Sequence, residues 1–402
     1  MDKQNHILYL IRSEADLERI VSIAMAGKPH AKQSFIFFGD SSPIFDIGIK
    51  NEFQKHLLKE HDFQVLEAVT LSVTGQLYKL LNQIETSNKL LLLAIGLLSK
   101  LLFRIIFKSQ HKLAERVLRR MKPDSLITDN SGERDNYFPH FLRQLALKQG
   151  VKVHVTGHGP AGGLHKDYYS YEEHPVTPFE GCSVGICSIH DFGYGLPNRQ
   201  LTGDPADSYP HVIQKHALSY GDIDFMSEKK YKIGFFMAAP FETCTNSWSV
   251  MEEIMLDYAG REDVAMIAKF HPRLYKHGDY RYLLKINNLK LYGSELDRSR
   301  LVKWADIVVC SDHCSTIFEP MILGKKVVAI HSKKVRQYAK LVSPIHDSDP
   351  TINSIHHSNE FDLESLSNYN KDAKFIDEYC WGGNGHSDLG INILRKLIID
   401  ID

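Results

Sequence analysis

The sequence has little cysteine, no excess of either charge and none of the common catalytic loops, and each shortage removes a class of function. Six cysteines (Cys182, Cys187, Cys244, Cys310, Cys314 and Cys380) in 402 residues, with no CxxC pair among them, exclude a disulfide scaffold. Lys plus Arg number 48 against 49 Asp plus Glu, a formal charge of −1, so no global field recruits nucleic acid and any electrostatic function is local. There is no Walker loop, no GxGxxG after the first apolar run and no GxSxG elbow, which sets aside P-loop, NAD-dependent and hydrolase chemistry. The 21 histidines include no HExxH, and His154, His158 and His165 are irregularly spaced, so no metal is expected. The stretch MDKQNHILYLIRSEADLE lacks a signal-peptide pattern, and a reducing cytosol is the expected compartment. At 43% hydrophobic and 24% charged, the chain has enough apolar residues for two ordinary cores.

A long uninterrupted hydrophobic run is missing too. Residues 90 to 107 read LLLLAIGLLSKLLFRIIF, but Lys100 and Arg104 leave the uncharged part too short to cross a bilayer. Those two residues open a register of Lys100, Arg104, Lys108, Lys112, Arg116 and Arg120, with Glu115 the only acid between them. On a helix this is a basic row beside an apolar face, expected to lie on an anionic membrane with leucines at the acyl boundary. The plainer alternative is a core helix running into a solvated basic one.

What is present is a repeated alternation of apolar runs and helical patterns. HILYLI, DLERIVSIAMAG and SFIFFGD read as strand, helix and strand, and the pattern continues in DSLITD, a helix from about Phe138 to Gln149, and VKVHVTGHG. LTGDPADSYP then interrupts regular structure at Pro205 and Pro210. KKYKIGFFMA, SWSVMEEIMLDYAG, VAMIAKFHP, ADIVVCSD, STIFEPMILG and KKVVAIH restart the alternation, and the apolar helix GINILRKLIID is expected to pack back across the molecule. The expected fold is α/β with two Rossmann-like parallel-sheet domains, 1–205 for the acceptor and 206–402 for the donor, facing a cleft.

In such sheets ligands bind beyond the carboxyl ends of the strands. After VAMIAKF come His271, Pro272 and Arg273, with Lys269 just before; after ADIVVC come Ser311, Ser315 and Thr316, then Glu319. Hydroxyls and free N–H groups at a helix start hold a phosphate without a metal, and a neighbouring imidazole donates to it or protonates a leaving group. Glu319 is expected to accept from ribose hydroxyls or to complete a capping box with Thr316. On the other side stand Asp129, the Gly-Glu-Arg-Asp loop with Glu133 and Asp135, and His158.

These motifs carry a resemblance. The TGDPxxD connector, KFHPRL and WADIVVCSDHCSTIFEPMILGKKVV resemble the second half of GT-B transferases, in particular the group of CDP-glycerol glycerophosphotransferases, polysialyltransferases and bacterial Kdo transferases. The resemblance implies that His271 and Pro272 are its His-Pro motif and that Ser315 and Thr316 are its hydroxyl pair, together holding a cytidine nucleotide. VTGHGP is similar to the Trp-His-Gly-Thr-Pro loop of the glycerophosphotransferases, with Gly157 at the tryptophan position, and implies His158 as base for an acceptor hydroxyl. Glu133 or Asp135 as base, and Asp129 as nucleophile of a double displacement, remain alternatives. The TGDP pattern is also similar to non-hydrolysing UDP-GlcNAc 2-epimerases.

The expected activity is therefore a metal-independent glycosyltransferase of lipopolysaccharide or capsule synthesis at the inner face of the cell membrane. It would use no cofactor beyond a CMP-linked acidic sugar such as Kdo or sialic acid, and a lipid-linked glycan as acceptor. The alternatives are transfer of a polyol phosphate from CDP-glycerol, a UDP-GlcNAc 2-epimerase-like enzyme, and a catalytically silent glycan-binding module.

Overall fold

The computed structural model describes residues 5–11, 14–39, 56, 58–59, 63–69, 89–129, 137–156, 181–187, 198–218, 222–237, 245–270, 282–293, 295–311, 315–330, 353–366 and 376–397. In chain order the first half contains β1 (His6–Ile11), α1 (Glu14–Gly27), β2 (Lys32–Gly39), β3 (Gln64–Val69), α2 (Lys89–Met121), β4 (Ser125–Asp129), α3 (Phe138–Lys148), β5 (Lys152–Thr156), β6 (Ser183–Ile186) and β7 (Arg199–Leu201). All its strand pairs are parallel, in the order β3-β2-β1-β4-β5-β6-β7. The side-chain alternation of β1 explains why this sheet is covered on both faces. Leu8 and Leu10 enter the core shared with α2 and α3, while Ile7, Tyr9 and Ile11 enter the core shared with α1.

The second half repeats this winding. It contains α4 (Tyr209–Ala217), β8 (Tyr231–Met237), α5 (Thr245–Asp257), β9 (Val264–Phe270), β10 (Leu289–Tyr292), α6 (Arg298–Trp304), β11 (Ile307–Ser311), α7 (Phe318–Ile322), β12 (Lys326–Ile330), β13 (Asn353–Ile355) and α8 (Leu389–Leu397). Its strands, again all parallel, run β10-β9-β8-β11-β12-β13. In both halves the winding reverses beside the first strand, between β1 and β4 and between β8 and β11, and these switch points are where a doubly wound sheet opens a crevice. The architecture is α/β with two Rossmann-like sheets, the GT-B arrangement.

The connector corrects one expectation. Pro205 and Pro210 begin helical turns instead of breaking regular structure: Pro205 opens a 3-10 turn at Pro205–Asp207 capped by Asp204, whose Oδ1 accepts from the Ala206 N–H at 3.1 Å, and Pro210 lies in the first turn of α4. Proline suits these positions because a first-turn N–H has no intrahelical partner to lose. The C-terminal helix does pack back. Leu389 joins the core of the second half, whereas Ile393 and Leu394 join the α1 core of the first. That crossing is close, since a Cβ on Gly390 would stand 2.8 Å from the Ser22 carbonyl oxygen.

The connector is pinned beside it. Trp381 is 2% exposed and donates Nε1–H to the Asp207 carbonyl at 2.9 Å. Gly203 has φ +76°, and a Cβ there would lie 2.9 Å from the Trp381 carbonyl group. Gly203→Ala is expected to destabilise the protein by about 1–3 kcal/mol, the cost of left-handed strain added to a backbone clash, measured by urea unfolding.

Candidate active cleft

The helices that follow the switch strands bring the carboxyl edges of the two sheets together. Glu18 lies near the start of α1, which leaves β1; Glu319 lies in the first turn of α7, which follows β11; and Arg298 begins α6. These three meet with Lys215 of α4 in one ion cluster. The Arg298 Nη2 stands 2.7 Å from Glu18 Oε1 and its Nε 2.6 Å from Glu319 Oε2. Lys215 Nζ donates to the same two carboxylates at 2.7 and 3.2 Å, and His216 Nε2 lies 2.7 Å from Glu319 Oε1. Behind them Arg19 Nε faces Asp204 Oδ1 at 3.6 Å, and Arg298 Nη2 reaches Asp207 Oδ1 at 3.8 Å.

Burial and pairing pull the acids of this cluster in opposite directions. Burial works to raise the Glu18 carboxyl, but Arg298 and Lys215 outweigh it and hold it at about 2. Glu319, 0% exposed, is likewise drawn well below the carboxylate range, because Lys215, Arg298 and the His216 bond exceed the burial cost. Asp207 goes the other way: burial and the neighbouring Asp204 push it up to about 8, with Arg298 too distant to compensate. His211 is depressed to about 4 by burial and by Lys215 and stays neutral.

Glu319 is a correction to the sequence reading. Its Oε2 is taken by Lys215 and Arg298 and its Oε1 by His216 in a site closed to solvent, so it is the anion of an ion cluster and not an open acceptor for ribose hydroxyls. The other expected donor residues that are described sit around the β8/β11 switch point. Ser311 is the last residue of β11 and fully buried, Ser315 opens the 3-10 turn Ser315–Ile317 leading into α7, and Thr316 is half-buried in that turn. Lys269 lies one residue before the end of β9, and its Nζ donates to the Gly293 carbonyl at 3.3 Å. Asp129 ends β4 in register with Thr156, at the carboxyl edge beside the first switch point. His158, Glu133, Asp135, His271, Pro272 and Arg273 lie outside the described residues.

The functional elements that sequence reading missed are Glu18, Lys215 and Arg298. Each sits on an otherwise ordinary helix, and although Arg298 and Glu319 are 21 residues apart, Glu18 lies 197 residues from Lys215 and 280 from Arg298, and Lys215 lies 104 from Glu319, so no spacing motif announces the cluster.

No family model matches the sequence, and no curated protein matches it. Solved structures do. A UDP-N-acetylglucosamine 2-epimerase superposes with TM-score 0.57 at 10% identity, covering 98% of this chain and 95% of that one. The Methanocaldococcus jannaschii UDP-GlcNAc 2-epimerase in complex with UDP-GlcNAc and UDP gives 0.55 at 11% identity, covering 97% of this chain and 99% of that one. The Neisseria meningitidis UDP-GlcNAc 2-epimerase bound to UDP-GlcNAc gives 0.54 at 12% identity, covering 88% of each chain. At such identities the likeness is one of fold.

Two outcomes follow from the ion cluster. Lys215→Met leaves Glu18 and Glu319 facing each other with one cation fewer and is expected to destabilise by about 3–5 kcal/mol in denaturant unfolding. For Asp207 the folded value near 8 exceeds the ordinary 3.8, so the native state binds the extra proton and stability falls as pH rises from about 4 to 8. The limiting slope is about 1.4 kcal/mol per pH unit. Asp207→Asn is neutral at every pH, and its melting temperature is expected to gain on the parent's steadily from pH 5 to pH 8.

Proposed function

We propose that this chain is a nucleotide-sugar-dependent glycosyltransferase of GT-B architecture, acting on a lipid-linked glycan at the inner face of the cell membrane. The observation that carries the transferase reading is the outward face of α2, where Leu93, Leu97, Leu101 and Ile105 are 63%, 62%, 55% and 48% exposed beside the basic row. An enzyme of freely diffusing metabolites has no use for such a face, whereas an enzyme whose acceptor is anchored in a bilayer does.

The donor nucleotide belongs at the β8/β11 switch point. There Ser315 and Thr316, at the start of the turn leading into α7, would hold the phosphates with Lys269 near the end of β9 and with His271, Pro272 and Arg273, which follow β9 in the sequence. Backbone N–H groups and hydroxyls at that turn, with the two cations, would neutralise the departing phosphate without a metal. His158, Glu133 or Asp135 would take the acceptor proton, and Asp129, at the end of β4, would serve as nucleophile in a retaining variant. The sequence resemblance favours a CMP-linked acidic sugar, with CDP-glycerol next.

A second reading has its own support. Two neighbouring folds solved with UDP-GlcNAc are UDP-GlcNAc 2-epimerases that align over 97% and 88% of this chain, which favours a uridine nucleotide and an epimerase. A glycan-binding module without turnover is the third.

Thermal shift with CMP, CDP, UMP and UDP, with and without magnesium, separates them. A nucleotide at about 100 times its Kd adds roughly 2.7 kcal/mol of stability. A metal-independent response to CMP or CDP, abolished in Ser315→Ala/Thr316→Ala, is expected. A response to UDP alone moves the assignment to the epimerase, and silence toward all four moves it to the binding module.

A further inference from the structure

The sheet fixes how far α2 reaches. At its C-terminal end the Met121 carbonyl accepts from His6 Nδ1 at 2.9 Å, and His6 is the first residue of β1, so Met121 stands at the amino edge of the sheet. Eleven residues earlier, Gln110 Oε1 accepts at 2.9 Å from the N–H of Tyr137, the residue that opens α3. Because α3 descends from the carboxyl edge to β5, Gln110 marks that edge. The stretch from Gln110 to Met121 thus covers the height of the sheet, about 17 Å at 1.5 Å per residue. The stretch from Lys89 to Ser109, about 20 residues or ~30 Å, projects past the carboxyl edge, on the side where the crevice opens.

The inner face of this arm is anchored: Leu102 and Ile106 are buried, and the rings of Phe103 and Phe107 meet Tyr137 at 5.6 Å. Leucines and an isoleucine on the outer face are exposed. Leu93, Leu97, Leu101 and Ile105 form one ridge four residues apart, and the basic row beginning at Lys100 forms the ridge beside it. Among the described residues none of the six row cations is ion-paired with an acid, and Glu115 is held by His111 at 3.6 Å.

We propose that the projecting half of α2 is a docking arm for an anionic lipid bilayer, and that it turns the carboxyl edge of the first sheet, with its crevice, toward the membrane surface. The leucine ridge enters the acyl boundary and the cations beside it stay at the depth of the headgroup phosphates, their stems lying along the apolar side chains. A protein partner would need an apolar groove flanked by acids at the same pitch. A fluid anionic surface supplies both layers without any such match. No helix among the described residues is long and apolar enough to cross a membrane. The docking rests on α2 alone; only the arrival of a lipid-linked acceptor at the crevice rests on the function proposed above.

The test is co-sedimentation of the full chain with vesicles of phosphatidylcholine alone or mixed with phosphatidylglycerol. Binding to the mixed vesicles and not to the neutral ones is expected. Leu97→Glu/Leu101→Glu and Lys100→Glu/Arg104→Glu should each cut the bound fraction about tenfold or more. Leu256→Glu, at an exposed leucine of α5, should leave it unchanged, and melting curves of all variants should match the parent's. Orientation is read by tryptophan emission: Leu101→Trp shifts to the blue on anionic vesicles, and Arg119→Trp, on the same helical face five turns on, does not. Equal binding to neutral vesicles, no binding, or a blue shift at both positions overturns the proposal. So does a dimer in solution that Leu97→Glu/Leu101→Glu dissociates, which would assign the ridge to a second copy of this chain. None of these readouts involves a nucleotide, so a failure here leaves the thermal-shift result standing, and the converse holds.

Discussion

Arg298 and Lys215 each touch both Glu18 and Glu319, and through that shared contact the two halves of the molecule are held at one point. Glu18 comes from the helix after the first strand of one sheet and Glu319 from the helix after a switch strand of the other. Removing such groups from water is expensive, and the cluster survives because every acid at its centre has more than one cation within reach. Geometry, more than net stabilisation, is what such an arrangement supplies: a buried charge tolerates only the relative placement that keeps its partners in contact. The carboxyl edges of both sheets, where chemistry takes place in this architecture, are set relative to each other by that requirement.

The connector and the C-terminal helix work to the same end by packing. Asp204 and Asp207 carry the connector under the cluster, Trp381 closes over it with a hydrogen bond to the Asp207 carbonyl, and α8 leaves the second core at Leu389 to enter the first at Ile393. Gly203 and Gly390 permit the two closest backbone approaches in that crossing. The surplus acid of the cluster, Asp207, meets its burial by retaining a proton and not by recruiting a further cation.

Set against this rigid centre, α2 is built on a different principle. Its C-terminal half is a normal amphipathic helix with Ala114, Leu118 and Met121 in the core, while its N-terminal half turns large apolar side chains outward beside the cations of the basic row. In the proposed transfer, a donor held at the second sheet and an arm on the first that docks on the membrane would be complementary, since activated donor and anchored acceptor would then arrive from different sides of one cleft.

The sequence by itself determined the long strands and their helices. β1, α1, β2, β4, α3, β5, β8, α5, β9, β11 and β12 all stand where apolar runs and 3.6-residue patterns place them, because strands buried on both faces must be continuously apolar. β6, β7, β10 and β13 were not legible: at three or four residues each, SVGI, RQL, LKLY and NSI carry too few side chains for a pattern, and they become strands only because a neighbouring edge offers hydrogen bonds. The basic row of α2 was also plain, since its period is local. What only the tertiary structure decided was the partnership of Glu18, Lys215, Arg298 and Glu319, and hence that Glu319 is an internal counter-ion. Periodicity reports which way a residue faces along its own element, whereas a charge takes its role from groups that the fold brings beside it from distant parts of the chain.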